Sequence, residues 1–365
     1  MANSLAKKGH KVWIITHKIE NENYENFHEN ITINFTSSIR YEGGLPPTIN
    51  ENMKFICSAF FQGLKLIKHE KIDLIHSNNF SPAFAASLIS SFTKCPHITA
   101  VWDVFSLCGK DFWLKWSEQK NVSRFHAFLG RRFEKMILSL KHDAIHTISD
   151  ASKEDLLRFG AKRPIYIIPP AIETGKINSN KLNPLQFIYV GRLVFYKNID
   201  TIIHAISIVK NQFADVKLII IGGGPQKQEL IELSRKLDLK NNVEFRGFVS
   251  EEEKNSMLSS SMAMLFPSLC EGFGLVILES FMFEKPVLVA DNRPLSDIVK
   301  NNVDGYVIEA KDQKKWAEKI IHIIQNPGDT KKMGCVGKQK FLDCYSLDNM
   351  ITNIESMYKS IIDNA

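Results

Sequence analysis

Short runs of β-branched residues alternate with amphipathic helical stretches along all 365 residues of this chain. This alternation is typical of parallel β-sheets wrapped by helices, because each crossover helix buries its apolar face on the sheet. A chain of 365 residues also exceeds what one hydrophobic core usually holds. The sequence therefore predicts an α/β protein with two domains.

Strands are predicted where β-branched and aromatic residues cluster between turn residues. They fall at Val12–Thr16, Ile31–Phe35, Leu74–Ser77, Ile98–Val101, Ala144–Ile148 and Ile165–Ile168, and then at Phe187–Val190, Val216–Ile221, Val243–Phe245, Ala263–Phe266, Val287–Ala290 and Tyr306–Ile308. Helices are predicted between most of them, for example at Met53–His69 and Phe125–Leu140. The two halves share this rhythm without sharing sequence, which predicts two Rossmann-like domains rather than a repeat.

Pro169-Pro170 and the polar segment that follows mark the predicted boundary between the domains. We predict an N-terminal domain over residues 1–170, a linker over 171–184 and a C-terminal domain over 185–345. Residues 346–365 are predicted to contain an amphipathic helix that packs back toward the N-terminal domain.

The first residues predict an unusual start for the N-terminal domain. Leu5–Val12 has the pattern of a helix end capped by Gly9 and running into a strand. In a doubly wound domain, a helix in that place follows a first, central strand. Either the N-terminal domain lacks its first strand, which is what we expect, or another segment occupies the central position.

The formal net charge of +6 suits a phosphate-rich ligand, an anionic membrane surface or nucleic acid. No nucleic-acid-binding module is recognisable, so nucleic acid is not expected as a partner. No apolar run reaches the ~18 residues that cross a bilayer, and the first ten residues are polar, unlike a signal peptide. We expect a cytoplasmic protein, at most peripheral at the inner face of the membrane.

The strongest candidate site follows the strand Ala263–Phe266. There Glu271-Gly272-Phe273-Gly274 leads into a helix from about Leu275, and ligands of open α/β sheets bind beyond the carboxyl ends of strands, where helix N–H groups are free. Glycines let the backbone approach an anion closely. Glu279 lies roughly 8–12 Å beyond Glu271 at helical rise, which suits the span from a hexose to a ribose. The alternative is a polar loop and a solvated helix glutamate.

Two further turns follow predicted strands. Gly191-Arg192 and Lys197-Asn198 offer two cations beside a helix start, an arrangement suited to a diphosphate, although surface cations near a loop give the same pattern. Ile221-Gly222-Gly223-Gly224-Pro225 matches neither a P-loop nor a Gly-x-Gly-x-x-Gly fingerprint, and a tight strand-to-helix turn explains it.

Together these segments resemble the family 4 retaining glycosyltransferases of the GT-B fold, whose members carry a Glu-x7-Glu motif, here Glu271–Glu279. The resemblance continues through Tyr189–Leu193, Ile220–Pro225, Phe245–Val249, Lys285–Val287 and Asp304–Tyr306. It implies two Rossmann-like domains whose parallel sheets face a cleft, with acceptor binding in the first and donor binding in the second. The implied reaction moves a hexose from a UDP-, GDP- or ADP-linked donor to a hydroxyl of a glycan or lipid-linked acceptor, with retention of configuration.

The resemblance also implies roles for individual residues. Arg192 and Lys197 would hold the donor diphosphate, Glu271 and the backbone after it the transferred sugar, and Glu279 the ribose. The full set of implied donor-binding positions is Gly191, Arg192, Lys197, Gly222, Gly272, Phe273, Gly274, Leu275 and Glu279. With no Asp-x-Asp and no Cys-x-x-Cys pair, we expect neither a metal nor a cofactor.

The first half departs from the family in two ways. Members begin with a strand and a Gly-Gly loop, and they carry His-Asp where this chain reads Trp102-Asp103. Asp103 is the candidate catalytic residue on the acceptor side, although a helix cap explains it equally well. These departures leave open a catalytically weak sugar-nucleotide-binding partner subunit. A sugar-nucleotide epimerase of the same fold is a second alternative, although it would need acid/base carboxylates in place of the Glu-x7-Glu arrangement.

Aromatic and basic residues cluster after Asp103. Membrane contact, glycan stacking and plain packing all account for Phe105, Phe112, Trp113 and Trp116, which lie near Lys110 and Lys115. The next predicted helix carries Arg124, Arg131, Arg132 and Lys135, which predict either a face toward anionic lipid or an ordinary solvated face.

Overall fold

The computed structural model describes residues 1–19, 24, 26–39, 49–102, 104–107, 112–119, 123–173 and 182–364. The chain divides into two compact units. The first comprises Met1–Pro169 with Asp348–Ala365, and the second comprises Pro170–Leu347. Among the described residues, no helix combines the length and the apolar character needed to span a membrane.

The first unit contains parallel strands in two separate sheets. They are β1 (Val12–Ile19), β2 (Ile31–Ile39), β3 (Ile75–Ser77), β4 (His97–Ala100), β5 (Ala144–Thr147) and β6 (Ile165–Ile167). β1 pairs with β2, and the other strands form a sheet in the order β3-β4-β5-β6. Within the described ranges, no strand joins β1 to β3.

The helices of the first half are α1 (Ala2–Lys7), α2 (Ile49–His69), α3 (Ser81–Thr93), α4 (Phe112–Gln119), α5 (Arg124–Ser139) and α6 (Asp150–Phe159), with a 3-10 helix at Phe105–Leu107. Phe55, Ala59 and Ala85 form a buried cluster between α2 and α3, and Ile15 of β1 packs against it. Burial of these side chains holds the β1-β2 sheet to the helices without any strand pairing to β3.

The second unit contains one parallel sheet in the order β12-β11-β10-β7-β8-β9 within the described residues. Its strands are β7 (Gln186–Val190), β8 (Lys217–Ile221), β9 (Val243–Gly247), β10 (Ala263–Phe266), β11 (Val287–Ala290) and β12 (Gly305–Ile308). Its helices are α7 (Ile199–Val209), α8 (Lys227–Lys236), α9 (Glu251–Ser260), α10 (Leu275–Met282), α11 (Leu295–Ile298), α12 (Gln313–Gln325) and α13 (Pro327–Cys344), with a 3-10 helix at Phe195–Lys197. The inner strands β10 and β11 are buried at every position, as expected for strands covered on both faces.

The C-terminal helix α14 (Leu347–Asp363) belongs to the first unit from Asp348 onward. Its buried face is made by Ile351, Ile354, Met357 and Ile361. Glu355 accepts hydrogen bonds from Lys8 (2.5 Å) and pairs with His10 (2.9 Å), and Ser360 lies 3.2 Å from the Tyr166 hydroxyl. These contacts anchor α14 on α1 and β6.

A chain of hydrogen bonds runs from α14 into the sheet. The Tyr358 hydroxyl lies 2.7 Å from His76 Nδ1, His76 Nε2 lies 3.3 Å from His146 Nδ1, and His146 Nε2 lies 3.2 Å from the Ile168 carbonyl. Because the Ile168 carbonyl can only accept, His146 Nε2 donates to it, His76 Nε2 donates to His146 Nδ1, and the Tyr358 hydroxyl donates to His76 Nδ1. Both imidazoles are neutral in this arrangement. Burial lowers the pKa of His76 to about 3 and also lowers that of His146, which favours the neutral forms.

The predicted α/β architecture with parallel sheets is confirmed. Each strand predicted from the sequence is present, and Ala263–Phe266 and Val287–Ala290 have the predicted bounds. Others differ at their ends. β1, for example, extends to Ile19, because its later residues continue to pair with β2.

Candidate functional site

The candidate site lies at the carboxyl ends of three adjacent strands in the second unit. β7 is the central one, with β10 on one side and β8 on the other. In a parallel sheet these ends lie at the same edge, where open α/β folds bind their ligands. The three turns selected from the sequence are therefore brought together.

The turns after β7 and β8 are in direct backbone contact. Gly191 N–H donates to the Ile221 carbonyl (3.0 Å), and Leu193 N–H donates to the Gly223 carbonyl (2.8 Å). Gly222 has a φ of +126°, and a Cβ there would lie 2.0 Å from the Gly191 oxygen. Only glycine fits between the two turns, so this backbone surface stays open.

The turns after β7 and β10 are tied by polar contacts. Leu269 N–H donates to the Tyr196 carbonyl (2.8 Å), and Asn198 Nδ2 donates to the carbonyls of Pro267 (3.2 Å) and Ala310 (2.7 Å). Asn198 is buried and has a φ of +53°, a conformation that asparagine tolerates better than most residues. It thereby links the turns after three strands.

Lys197 and Glu271 meet in this linked region and form an ion pair. Their side chains are 8% and 12% exposed, so the pair is largely shielded from solvent. The Lys197 Nζ atom also lies 5.3 Å from the ring centre of Tyr196 and 5.4 Å from that of Phe266. The site thus holds a cation and a carboxylate side by side at low exposure.

Arg192 lies beside this pair. Its Nη2 atom donates to the Tyr196 hydroxyl (2.6 Å), and its carbonyl accepts from the Tyr189 hydroxyl (3.0 Å). Burial raises the pKa of Tyr189 well above its ordinary value, the charge on Glu271 adds to that rise, and Arg192 opposes it. Tyr189 therefore stays a neutral hydrogen-bond donor that fixes the backbone of Arg192.

Gly274 begins α10 with a φ of +91°, and a Cβ at this position would lie 3.2 Å from side-chain atoms of Ile277 and Leu295. The first backbone N–H groups of a helix have no partner within it, so this end offers donors to an anion. Phe273 is buried and packs edge-on against Tyr345, with ring centres 5.6 Å apart. The Phe273 side chain therefore packs in the core, and its backbone is the part available to a ligand.

Glu279, further along α10, pairs with a residue that the sequence did not single out. Its Oε2 atom lies 3.0 Å from the Nζ atom of Lys254 in α9. Lys254 is also 2.8 Å from Glu251 Oε2. Burial raises the pKa of Glu279, and the ammonium of Lys254 opposes that rise. The Glu251–Lys254 spacing suggests a pair within one helix and gives no sign of the contact to α10.

Phe248 belongs to the Phe245–Val249 segment of the family resemblance, but sequence reasoning gave it no role in the site. It follows β9, and its side chain is 79% exposed. A Cβ on Gly223 would lie 2.7 Å from the Phe248 ring, so the ring rests against the glycine-rich turn. An aromatic residue shortly after the predicted strand Val243–Phe245 was the signal that the sequence offered.

Only some of the residues predicted on the acceptor side lie within the part of the chain that the structure describes. Asp103 lies outside the described residues. Trp102 is 42% exposed, and its carbonyl accepts a hydrogen bond from Ser152. Phe112, Trp113 and Trp116 are buried, and Trp113 Nε1 donates to the buried carboxylate of Glu134 (3.2 Å). Of the explanations for this aromatic cluster, packing is the one that these three residues fit.

Comparison with known proteins identifies the class as a GT-B glycosyltransferase. Residues 172–340 match the family described as Glycosyl transferases group 1, and residues 1–176 match Glycosyltransferase Family 4. The two matches together span most of the chain. The chain belongs to the family 4 glycosyltransferases and is a transferase.

Similar proteins are also glycosyltransferases. An uncharacterized glycosyltransferase of Methanocaldococcus jannaschii is 23% identical over 98% of this chain and 92% of its own length. The capsular polysaccharide biosynthesis glycosyltransferase CapM of Staphylococcus aureus is 28% identical over 61% of this chain and 60% of its own.

Solved structures share the fold at low sequence identity. Sucrose-phosphate synthase from Thermosynechococcus elongatus superimposes with a TM-score of 0.80 at 18% identity, covering 100% of this chain and 92% of the other. HepE of Anabaena in complex with UDP-glucose gives a TM-score of 0.74 at 15% identity, covering 96% and 100%. Both comparisons support the GT-B fold.

Proposed function

We propose that this glycosyltransferase moves a hexose from a UDP-, GDP- or ADP-linked donor to a hydroxyl of a glycan or lipid-linked acceptor, with retention of configuration. The observation that carries the proposal is the shielded pair of Lys197 and Glu271, which unites the turns after β7 and β10. One member suits the donor diphosphate and the other suits sugar hydroxyls.

In this proposal Arg192 and Lys197 bind the diphosphate. Both are cations at the carboxyl end of β7, and the N–H groups at the start of α10 add further donors. As the bond to the sugar breaks, negative charge grows on the diphosphate, and preorganised donors stabilise it. Because Gly191 and Gly222 have no side chains, the phosphates would be able to approach the backbone of these turns closely. The proposal gives no role to a metal ion.

The sugar and the ribose are assigned to two different glutamates. Glu271 and the backbone of Gly272, Phe273, Gly274 and Leu275 would bind the transferred hexose, while Glu279 would bind the ribose. Along α10 a residue rises about 1.5 Å, so Glu279 lies roughly 6 Å beyond Leu275. That separation suits two sugars joined through a diphosphate.

Retention is proposed to proceed by attack of the acceptor hydroxyl on the face from which the diphosphate leaves. A covalent glycosyl-enzyme needs a carboxylate nucleophile on the opposite face of the sugar. Glu271 is engaged with Lys197, on the side proposed for the diphosphate, which supports same-face attack. Asp103 stays the proposed catalytic residue on the acceptor side.

A lipid-linked or membrane-borne acceptor is supported by the exposed face of α5. Phe125 and Phe128 are 63% and 54% exposed there, and the Arg132 guanidinium lies 4.5 Å from the Phe128 ring centre. Arg124 and Lys135 are exposed on the same helix, whose one acidic residue is buried. Cationic and aromatic residues without exposed acids are typical of helices that lie on anionic membranes.

The proposal is tested by a mass-spectrometric screen of UDP-, GDP- and ADP-hexoses against glycan and polyprenyl-phosphate-linked sugar acceptors. We expect one donor to give a product heavier than its acceptor by one hexosyl residue, and NMR of that product to show the donor's anomeric configuration. Nucleotide binding without transfer would favour the partner-subunit alternative. Conversion of the donor to an isomer without transfer would favour an epimerase. The opposite configuration would contradict retention.

A further inference from the structure

Lys254 bridges two carboxylates next to the proposed ribose site. Its Nζ atom lies 2.8 Å from Glu251 Oε2 and 3.0 Å from Glu279 Oε2. Glu251 is 82% exposed, whereas Lys254 and Glu279 are 13% and 19% exposed. The ion pair between Lys254 and Glu279 is therefore better shielded than the pair between Lys254 and Glu251, and solvent screens it less.

The start of α9 fixes where Lys254 lies. Ser250 caps the helix, its Oγ accepting from Glu253 N–H (3.2 Å) while the Glu253 carboxylate accepts from Ser250 N–H (3.0 Å). This capping box holds the first turn, and Lys254 follows directly after it. α9 precedes β10 in the chain and α10 follows it, so the Lys254 side chain joins the two helices on either side of that strand in the sequence.

The charged groups that act on the Glu279 carboxyl are Lys254 and Glu251, both from α9. Burial raises the pKa of Glu279, Lys254 opposes this rise, and the negative charge of Glu251 adds to it. Without Lys254, burial and the negative charge of Glu251 both raise the pKa of Glu279 and so favour its protonated form. A protonated carboxyl has less acceptor capacity for the two hydroxyls of a ribose.

We propose that Lys254 is a positioning residue for nucleotide binding, which fixes the Glu279 carboxylate in one orientation as an acceptor for the ribose hydroxyls. The proposal rests on the proposed function, in which Glu279 binds the ribose. Lys254 itself contacts no substrate. It acts through Glu279 alone, so its effect should be confined to ligands that carry ribose hydroxyls.

The test measures the affinities of UDP, GDP and ADP, and then of the 2′,3′-dideoxy counterpart of the tightest binder, by titration calorimetry. The variants are K254M, K254R, E279Q and the double variant K254M/E279Q, with K236M as a control at an exposed lysine of α8. We expect K254M to weaken binding of the ribonucleotide roughly tenfold and of the dideoxynucleotide hardly at all, because only the ribonucleotide has hydroxyls that hydrogen-bond to the Glu279 carboxylate. K254R should retain most of the affinity.

Two further readouts separate positioning from simple structural support. The loss in K254M should grow as the pH is lowered, because without the ammonium of Lys254 the Glu279 carboxyl protonates at a higher pH than in the wild type. K254M should cause no further loss of ribose discrimination in E279Q, because the two residues act through one carboxylate. With a full donor, KM should rise more than kcat falls.

Equal weakening of both nucleotides by K254M at every pH, while E279Q still abolishes discrimination, would overturn the positioning role and leave the ribose assignment standing. Unchanged discrimination in E279Q would instead overturn the assignment of Glu279 to the ribose, and with it the proposed site. If K254M does not fold, K254Q provides the same comparison.

Discussion

Lys197 and Glu271 form an ion pair with side chains only 8% and 12% exposed, although they lie 74 positions apart in the sequence. The pair exists because β7 and β10 are neighbours and their following turns are tied together through Asn198. A shielded pair is sensitive to the loss of either member, because the remaining charge is then uncompensated. The same two groups are the ones proposed to bind the donor diphosphate and its sugar.

The first prediction concerns the stability of this pair. We expect Lys197→Met and Glu271→Leu each to lower the free energy of unfolding by about 3 kcal/mol, and the double variant to lose much less than the sum. Urea unfolding of the wild type and the three variants measures this coupling. Additive losses would show that the pair contributes no mutual stabilisation.

The second prediction concerns Gly222. Alanine there would place a Cβ 2.0 Å from the Gly191 oxygen in a backbone of φ +126°, so both turns must move. We expect Gly222→Ala to lower the free energy of unfolding by about 2–3 kcal/mol and to weaken nucleotide binding. Gly328→Ala is the control, because this exposed helical glycine has no atom near its would-be Cβ and should be neutral or stabilising by up to ~1 kcal/mol. Equal effects of the two substitutions would contradict the close contact.

The third prediction concerns the pH dependence of stability in the first unit. Burial lowers the pKa of His76 to about 3 from an unfolded value of 6.5, so its neutral form is favoured on folding. Its stabilisation is therefore present above pH 6.5 and is lost progressively as the pH falls toward 3. Between pH 7.5 and pH 5 we expect this residue to contribute a loss of about 2 kcal/mol.

Urea unfolding at pH 7.5 and pH 5 of the wild type and His76→Gln measures this contribution. The glutamine variant should show a smaller difference between the two pH values, because one depressed imidazole is gone. His97, whose pKa burial lowers to about 4, and His146 stay in place and should leave a residual dependence. An identical pH dependence in both proteins would contradict the burial of a neutral His76.

The fourth prediction concerns the exposed face of α5. We expect the wild type to sediment with vesicles of phosphatidylcholine and phosphatidylglycerol at 3:1, and Phe125→Ser/Phe128→Ser to lose most of this binding. Phe92→Ser is the matched control, since Phe92 is 73% exposed on α3 of the same unit. Equal losses in both variants would contradict a specific α5 surface, as would an absence of vesicle binding in the wild type.

The fold was predictable because the strands and helices carry local patterns. β10 and β11 are apolar at every position and buried on both faces, so composition and flanking turns mark their bounds. The edge strand β1 is only partly buried, and its end depends on pairing with β2, which local sequence does not specify.

The candidate site was predictable where glycine patterns and strand ends coincide, as at Gly191, Gly222 and Gly274. The contact between Lys254 and Glu279 was not predictable, because it joins two separate helices and depends on side-chain directions in three dimensions. The aromatic residues after Asp103 stayed ambiguous for a related reason. The aromatic pattern alone does not distinguish buried from exposed side chains in this segment, whereas the structure places the Trp113 ring against the Glu134 carboxylate.

The central claim is that Glu271 binds the transferred sugar, and the most direct test is the transfer rate of Glu271→Ala with the donor identified by the screen. We predict a loss of at least about 100-fold in kcat, with the fold intact by circular dichroism, because a contact to the reacting sugar is removed. Glu252→Ala, at an exposed glutamate of α9, should keep normal activity. Near-normal transfer by Glu271→Ala would contradict the assigned site.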